Sequence, residues 1–142
     1  MGLPPRPPPG PPRVGVGAFI TDAAGRLLLV KRLRAPEAGH WGLPGGKVDF
    51  GETIAQTCAR EIREELGVEI AVGALLCVVD QIDPAAGTHW VAPVFRAAIV
   101  AGAPSNREPG ALSDIGWFAP GAMPAPLTLA TRRALQADGA GA

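Results

Sequence analysis

Apolar and polar positions alternate with period two along much of this chain, and the exceptions mark where one element gives way to the next. "VGVGAFIT" (14–21) alternates, and "RLLLVKR" (26–32) is apolar up to its basic end. The "DAAG" between them is a turn, so the two read as paired strands. "APEAGHWGLPGG" (35–46) is punctuated by glycine and proline and reads as loop. "VEIAVGALLCVVDQI" (68–82) has β character broken at Gly73. "DPAAG" turns the chain into "THWVAPVFRAAIVA" (88–101), a strand with an expected bend at Pro93. "SNREPGAL" is loop and "IGWFAP" a short strand. "APLTLATRRALQADG" (125–139) predicts a terminal helix, with Arg132 and Arg133 outward and Gly139 near its stop. No segment repeats. Strands outnumber helices and the order is mixed, which predicts an α/β sandwich.

One stretch departs from the strand period. Thr53 followed by Gln56 is a capping-box signature, and Gly67 is a good left-handed stop, so a helix is expected between them. At 100° per residue, Ala55, Ala59, Ile62 and Leu66 fall within about 60° and form the expected core face. Glu61, Glu64 and Glu65 fall within about 100° on another side, with Arg60 beside them and Arg63 pointing away. Like charges at helical spacing repel, so this clustering needs a reason.

Composition narrows the reasons. The chain has 142 residues, 47% hydrophobic and 18% charged, enough for a real core. Thirteen basic residues balance thirteen acidic ones, so no overall field draws the chain to nucleic acid or an anionic membrane. No apolar run reaches the roughly 20 residues of a membrane span, and "MGLPPRPPPGPPR" lacks the apolar centre of a secretory signal. Seven of the sixteen prolines lie in residues 1–13, which read as an extended or disordered arm before one domain over residues 14–142. Cys58 and Cys77 are too few for a disulfide framework and read as reduced thiols in a cytoplasmic protein.

Three carboxylates on one helix face, close to glycines that allow tight backbone approach, suit a hard cation: Mg²⁺, with Mn²⁺ open. On charge alone, a solvated acidic face relieved by arginine is an equal reading. The surrounding residues weigh against it. Gly46, five residues, Glu52, seven residues, Arg60-Glu61, Ile62, any residue, Glu64-Glu65, any residue, Gly67, Val68 matches the Nudix box at every fixed position, nine over 23 residues. The chain resembles the Nudix hydrolases, with the likeness running from about Val14 to Gln136.

That resemblance implies a Nudix α/β/α sandwich: a mixed β-sheet, the loop and helix of the box, and a C-terminal helix. It implies hydrolysis of a phosphoanhydride in a nucleoside diphosphate linked to another group. Carried over by position, Glu61 and Glu65 are the principal metal ligands, Glu64 shares the ions directly or through water, and the Gly45 carbonyl adds a ligand. Glu52 and Arg60 pair to hold the loop to the helix, with Glu52 open as a residue that orients water. Glu108 is the candidate later carboxylate, as ligand or base, with Asp114 second. Substrate-contact candidates are Lys31 and Arg32 for phosphate, His40, Trp41 and Phe50 for the pocket wall, and Trp117 and Phe118 for stacking on the base. His89 and Trp90 read as structural.

The whole chain looks closest to small MutT-like enzymes that convert nucleoside triphosphates to monophosphate and pyrophosphate, some of which cleanse the nucleotide pool. An ADP-ribose or nucleotide-sugar pyrophosphatase is the alternative, with Pro84 as its one hint. A catalytically silent Nudix binding module is the alternative of another class, disfavoured by the intact box. The expected partner is a small nucleotide, without a nucleic-acid polymer or membrane, and a homodimer is left open.

Overall fold

The computed structural model describes Gly2 and residues 10–140. The arm expected over residues 1–13 therefore lies mostly outside the described residues, and Arg13, assigned to it, opens the first strand. In chain order the elements are β1 (Arg13–Ile20), β2 (Leu27–Arg32), β3 (Trp41–Gly42), β4 (Gly45–Lys47), α1 (Ile54–Leu66), β5 (Glu69–Asp83), β6 (Thr88–Ala101), β7 (Leu112–Phe118) and α2 (Leu129–Ala140). Four strands form a mixed sheet in the order β4-β1-β6-β5, with β1 parallel to β6 and the other pairs antiparallel. Three more form an antiparallel sheet, β3-β2-β7.

Side-chain parity explains why both faces need cover. Along β1, Val16, Ala18 and Ile20 enter one cluster, with Leu28 and Val30 of β2 and Phe95 and Ala97 of β6. Cys58, Ile62 and Leu66 of α1 close it. The opposite parity, Phe19, Leu27, Leu29 and Val94, enters a second cluster with Ala134 of α2. Strands buried on both faces read as near-continuous apolar runs, as "LLLV" does. A one-residue slip of β1 would exchange these two sets, so the packing specifies the register. The result is the α/β/α sandwich expected.

Several expectations are corrected in detail. The stretch read as loop over 35–46 contains β3 and β4, whose glycines hide their extended pairing because glycine carries no β propensity. Gly73 does not break β5. The strand runs through it and absorbs the irregularity as register shifts between Val72 and Cys77. Gly139 lies one residue before the end of α2, near its stop as expected. The buried face of α1 holds Thr57, Cys58, Ile62, Glu65 and Leu66, whereas Ala55 is exposed and Ala59 half-buried. The helix has turned to place a carboxylate inward, at the expense of two alanines that bury little area. Arg132 and Arg133 are exposed, as expected.

Ile62 is fully buried where α1 meets both sheets. Ile62→Ala should lower stability by about 2–5 kcal/mol, while Arg132→Ala should change it by less than about 0.5 kcal/mol. Paired denaturant titrations check this, and equal effects would contradict the packing described.

Candidate active site

The site is built on the start of α1. Thr53 is its N-cap, with its hydroxyl accepting from the Gln56 N–H at 3.1 Å and the Gln56 side chain accepting from the Thr53 N–H at 2.9 Å. This closes the capping box. Gly67 ends the helix at φ 70°, where a residue bearing Cβ is strained. Ahead of the cap, Glu52 accepts from the Asp49 N–H and the Thr57 hydroxyl, each at 3.1 Å, so the preceding turn is tied to the helix.

Arg60 organises the acidic side. Its Nε donates to Glu52 Oε2 at 2.6 Å and its Nη2 to Glu52 Oε1 at 2.8 Å, a bidentate fork. Nη2 also reaches the Lys47 carbonyl at 3.2 Å. Nη1 donates to Glu61 at 2.9 Å and Glu64 at 3.2 Å. One guanidinium thus fixes the loop to the helix and partly neutralises three glutamates. The fork, together with the bonds from Asp49 and Thr57, holds the Glu52 carboxyl far below the usual range, at about 2.

Glu65 is placed differently. It is 7% exposed, and its Oε2 has no hydrogen-bond partner among the described residues. Burial pushes its carboxyl up to about 8, reinforced by the charges of Glu61 and Glu108 and opposed by Gly45 and Arg32. Burial also raises Glu61, against Arg60, with Glu64 and Glu108 adding to the rise. Glu61, Glu64, Glu65 and Glu108 therefore share one field. Glu108 arrives because its loop is pinned to the end of α1. The Ser105 and Arg107 N–H groups donate to the Leu66 and Glu65 carbonyls at 3.0 and 2.9 Å, satisfying orphan acceptors of the last turn.

The glycines of β4 let these carboxylates approach backbone. A Cβ at Gly46 would collide with the Glu61 carboxylate, and one at Gly45 with the Val16 carbonyl of β1. Among the described residues, no three acidic, His or Cys side chains converge closely enough to hold one ion together. Glu61 and Glu64 are instead turned onto Arg60. The donor set still fits a hard divalent cation: carboxylate oxygens only, one of them buried without a partner, beside glycine backbone. Glu61, Glu64 and Glu65 are the residues that would hold it.

On the other side of β4 lies a cavity of about 310 Å³. Gly15, Gly17, Trp90 and Val94 line it from the sheet, Arg32, Pro36 and Glu37 from the loop after β2, and Gly45, Gly46 and Lys47 from β4. Gly15 keeps the floor open under Trp90, whose ring would lie 3.3 Å from a Cβ there. Thr128 and Ala130 close the side next to α2.

The structure places the sequence candidates unevenly. Arg32 lines the cavity and its charge is felt at Glu65, so it bridges the two halves of the site. Its Nε donates to the Pro36 carbonyl at 2.8 Å. Lys31 sits half-buried beside it on β2, registered against Trp41. Trp41 and Phe118 pack edge-on, 5.0 Å between centroids, in the core under α2. Trp117 packs against the core under α1. None of these three aromatics lines the cavity. His40 is half-buried in the loop, and its ring meets the Ala38 carbonyl at 3.3 Å. Phe50 is fully exposed at the tip of the box loop, and Asp114 is exposed on β7 opposite Lys31. His89 lies 3.3 Å from Asp80, away from the site. Sequence reasoning missed Lys47, Glu37 and Gln81, and read Trp90 as structural. Only the alternation of β6 could have shown that Trp90 shares a face with Val94.

These features agree with comparisons to known proteins. The NUDIX domain family model matches residues 11–137, so the chain belongs to the Nudix family. It is a MutT-like Nudix hydrolase. A crystal structure of a MutT NUDIX hydrolase from Burkholderia pseudomallei is 55% identical, covers 89% of this chain and 98% of its own, and superposes with a TM-score of 0.86. A putative 8-oxo-dGTP diphosphatase 2 of Mycobacterium tuberculosis is 42% identical over 115 residues, 73% of this chain and 78% of that protein. An ADP-ribose pyrophosphatase of Methanocaldococcus jannaschii is 36% identical over 91 residues, 64% of this chain and 53% of that one.

Two outcomes follow from the electrostatics. Glu52 has a depressed folded-state pKa, so its pairing contributes stability above about pH 4.5 that is lost as pH falls through about 2. Acid titration of melting temperature should show Glu52→Gln less stable than wild type at pH 7, with the gap closing toward pH 2. A constant gap would contradict the Arg60 fork. Glu65 has a raised folded-state pKa, so in metal-free protein stability falls as pH rises from about 4.5 to about 8. Glu65→Gln in chelator at pH 8 should melt higher than wild type. A lower melting point would show that the buried carboxylate is not a burden.

Proposed function

We propose that this enzyme hydrolyses a nucleoside triphosphate to the monophosphate and pyrophosphate, with Mg²⁺ or Mn²⁺ at Glu61, Glu64, Glu65 and the Gly45 carbonyl. The observation that carries the reading is the unpartnered Glu65 oxygen, buried beside the glycine strand that also walls the cavity. An unpaired buried carboxylate is costly, and proteins keep such groups where a cation or a reaction uses them. A bound divalent ion supplies charge neutralisation at phosphate oxygens and activates water.

The chain's own groups do the rest. The cavity takes the nucleoside, with the Trp90 ring over Gly15 as an apolar floor. Arg32 and Lys47 at its rim take phosphate oxygens, and the bare backbone of Gly45 and Gly46 lets the phosphates lie close to α1. Glu108, whose charge acts on Glu61 and Glu65, is the carboxylate we assign to accept the proton of the attacking water. Arg60 holds Glu52 and the loop rigid, which keeps the ligands in register. The Mycobacterium relative's name supports the triphosphate reading. Cys58, whose thiol burial pushes up to about 11, is inert packing and suits a reducing cytoplasm. No helix among the described residues is long and apolar enough to cross a membrane.

The Methanocaldococcus relative favours a second reading, ADP-ribose hydrolysis. Pro84 adds little to it: it sits in an exposed turn where its carbonyl accepts from the Gly87 N–H at 3.3 Å, and turn geometry explains it.

The test is product analysis with Mg²⁺ over canonical and 8-oxo nucleoside triphosphates, ADP-ribose and nucleotide sugars. Pyrophosphate from a triphosphate is expected, and turnover of ADP-ribose alone would overturn the reading. Glu61→Gln and Glu65→Gln should each lower turnover by orders of magnitude with the fold intact. Arg32→Ala should lower kcat/KM by about tenfold or more, one charge-assisted phosphate contact. No turnover of anything by wild type would favour the silent binding module.

A further inference from the structure

One wall of the cavity carries polar groups with no part in the proposed hydrolysis. Glu37, in the loop after β2, is the one non-glycine residue with positive φ among the described residues, at 59°. A bulky side chain there is strained and persists where its surroundings over-determine it. Here they do. Glu37 Oε2 accepts the Leu129 N–H at 2.9 Å, the first residue of α2, where the helix dipole favours a carboxylate. Glu37 Oε1 accepts from Gln81 Nε2 at 2.8 Å, across 44 residues of sequence. Both Glu37 and Gln81 line the cavity.

The consequence lies in the amide. A carboxylate already accepting from a helix N–H offers only acceptors, so Gln81 must turn its NH₂ toward Glu37. Its carbonyl oxygen is then the one acceptor this side chain can offer the cavity it lines, beside the amide's second N–H. No hydrogen bond to that oxygen exists among the described residues. A buried acceptor left unpaired by a ligand costs binding, and a site built around one discriminates strongly for a donor.

Resting on the reading of the cavity as the nucleoside site, we propose that the Glu37–Gln81 pair is its specificity device, selecting bases that present an N–H donor to β5. Two sources share that chemistry: an exocyclic amino group, or the N7–H of an 8-oxopurine. Glu37 is a positioning residue acting through Gln81. The proton pattern predicts its substitution too. In Glu37→Gln the new amide can accept from Leu129 and donate to the Gln81 oxygen, which turns the Gln81 NH₂ to the cavity and replaces an acceptor with a donor.

The test is calorimetric binding of nucleoside monophosphates, which does not depend on turnover. Adenosine, guanosine and cytidine monophosphates are compared with their counterparts lacking the amino group, the monophosphates of purine riboside, inosine and zebularine, and 8-oxo-guanosine monophosphate with guanosine monophosphate. For the preferred base, Gln81→Leu should weaken the donor-bearing nucleotide by about tenfold or more and leave its partner lacking the donor within about twofold. Loss on deamination assigns the amino group, and a gain on 8-oxidation assigns N7–H. Glu37→Gln should shrink or reverse the wild-type preference, with a melting temperature lowered only modestly by the loss of one charge at the start of α2. Equal weakening of all nucleotides by Gln81→Leu, or an unaltered preference in Glu37→Gln, overturns the proposal. If wild type binds no nucleotide at all, the cavity reading fails with it. If it binds with Gln81-dependent selectivity yet hydrolyses no triphosphate, the inference stands and the proposed reaction fails.

Discussion

Everything at this site depends on a carboxylate kept where carboxylates are expensive. Glu65 is buried against β4 with one oxygen unpartnered among the described residues, and its neighbours Glu61 and Glu108 add charge of the same sign. Left alone, such a group favours its neutral form and strains the fold. The surrounding architecture answers that pressure in two ways. Arg60 supplies a fixed positive charge to Glu52, Glu61 and Glu64 but makes no bond to Glu65. Glycine at positions 45 and 46 brings backbone close to the carboxylates, as a Cβ at Gly46 would collide with Glu61.

The sandwich exists to hold these parts rigid. Core residues of α1 are clamped by the cluster around Val16, Leu28 and Phe95, so the acidic edge of the helix cannot rotate away from β4. The loop with Glu108 is fastened to the last turn of α1 by backbone hydrogen bonds. On the opposite face of the sheet, glycines at 15 and 17 thin β1 and leave room for the cavity. One strand, β4, thus separates and joins the two halves: carboxylates on one side, the cavity on the other.

How much of this was legible in the sequence follows from locality. The start and end of α1 were readable because Thr53, Gln56 and Gly67 act through neighbours three or four residues away. The extents of β1 and β2 were readable from alternation and the turn between them, but the pairing expected of them was not: they lie in different sheets, joined by an isolated bridge from Thr21 to Leu27. β3 and β4 were hidden because their pairing partners, not their own glycines, make them strands. The inward turn of Glu65 was hidden because a helical wheel scores hydrophobicity, and a buried charge looks like a surface one. Glu37, Gln81 and Leu129 meet only through the fold, and no local pattern joins them. Trp41, Trp117 and Phe118 carried two readings, and packing accounts for where they lie.

The proposed reason for the crowding of the glutamates is a divalent cation that relieves Glu65. The most direct measurement is the melting temperature of wild type and Glu65→Gln against Mg²⁺ up to millimolar concentration. Mass action predicts a rising melting temperature for wild type and a flat one for the variant. No shift in wild type, or the same shift in both proteins, would contradict the account.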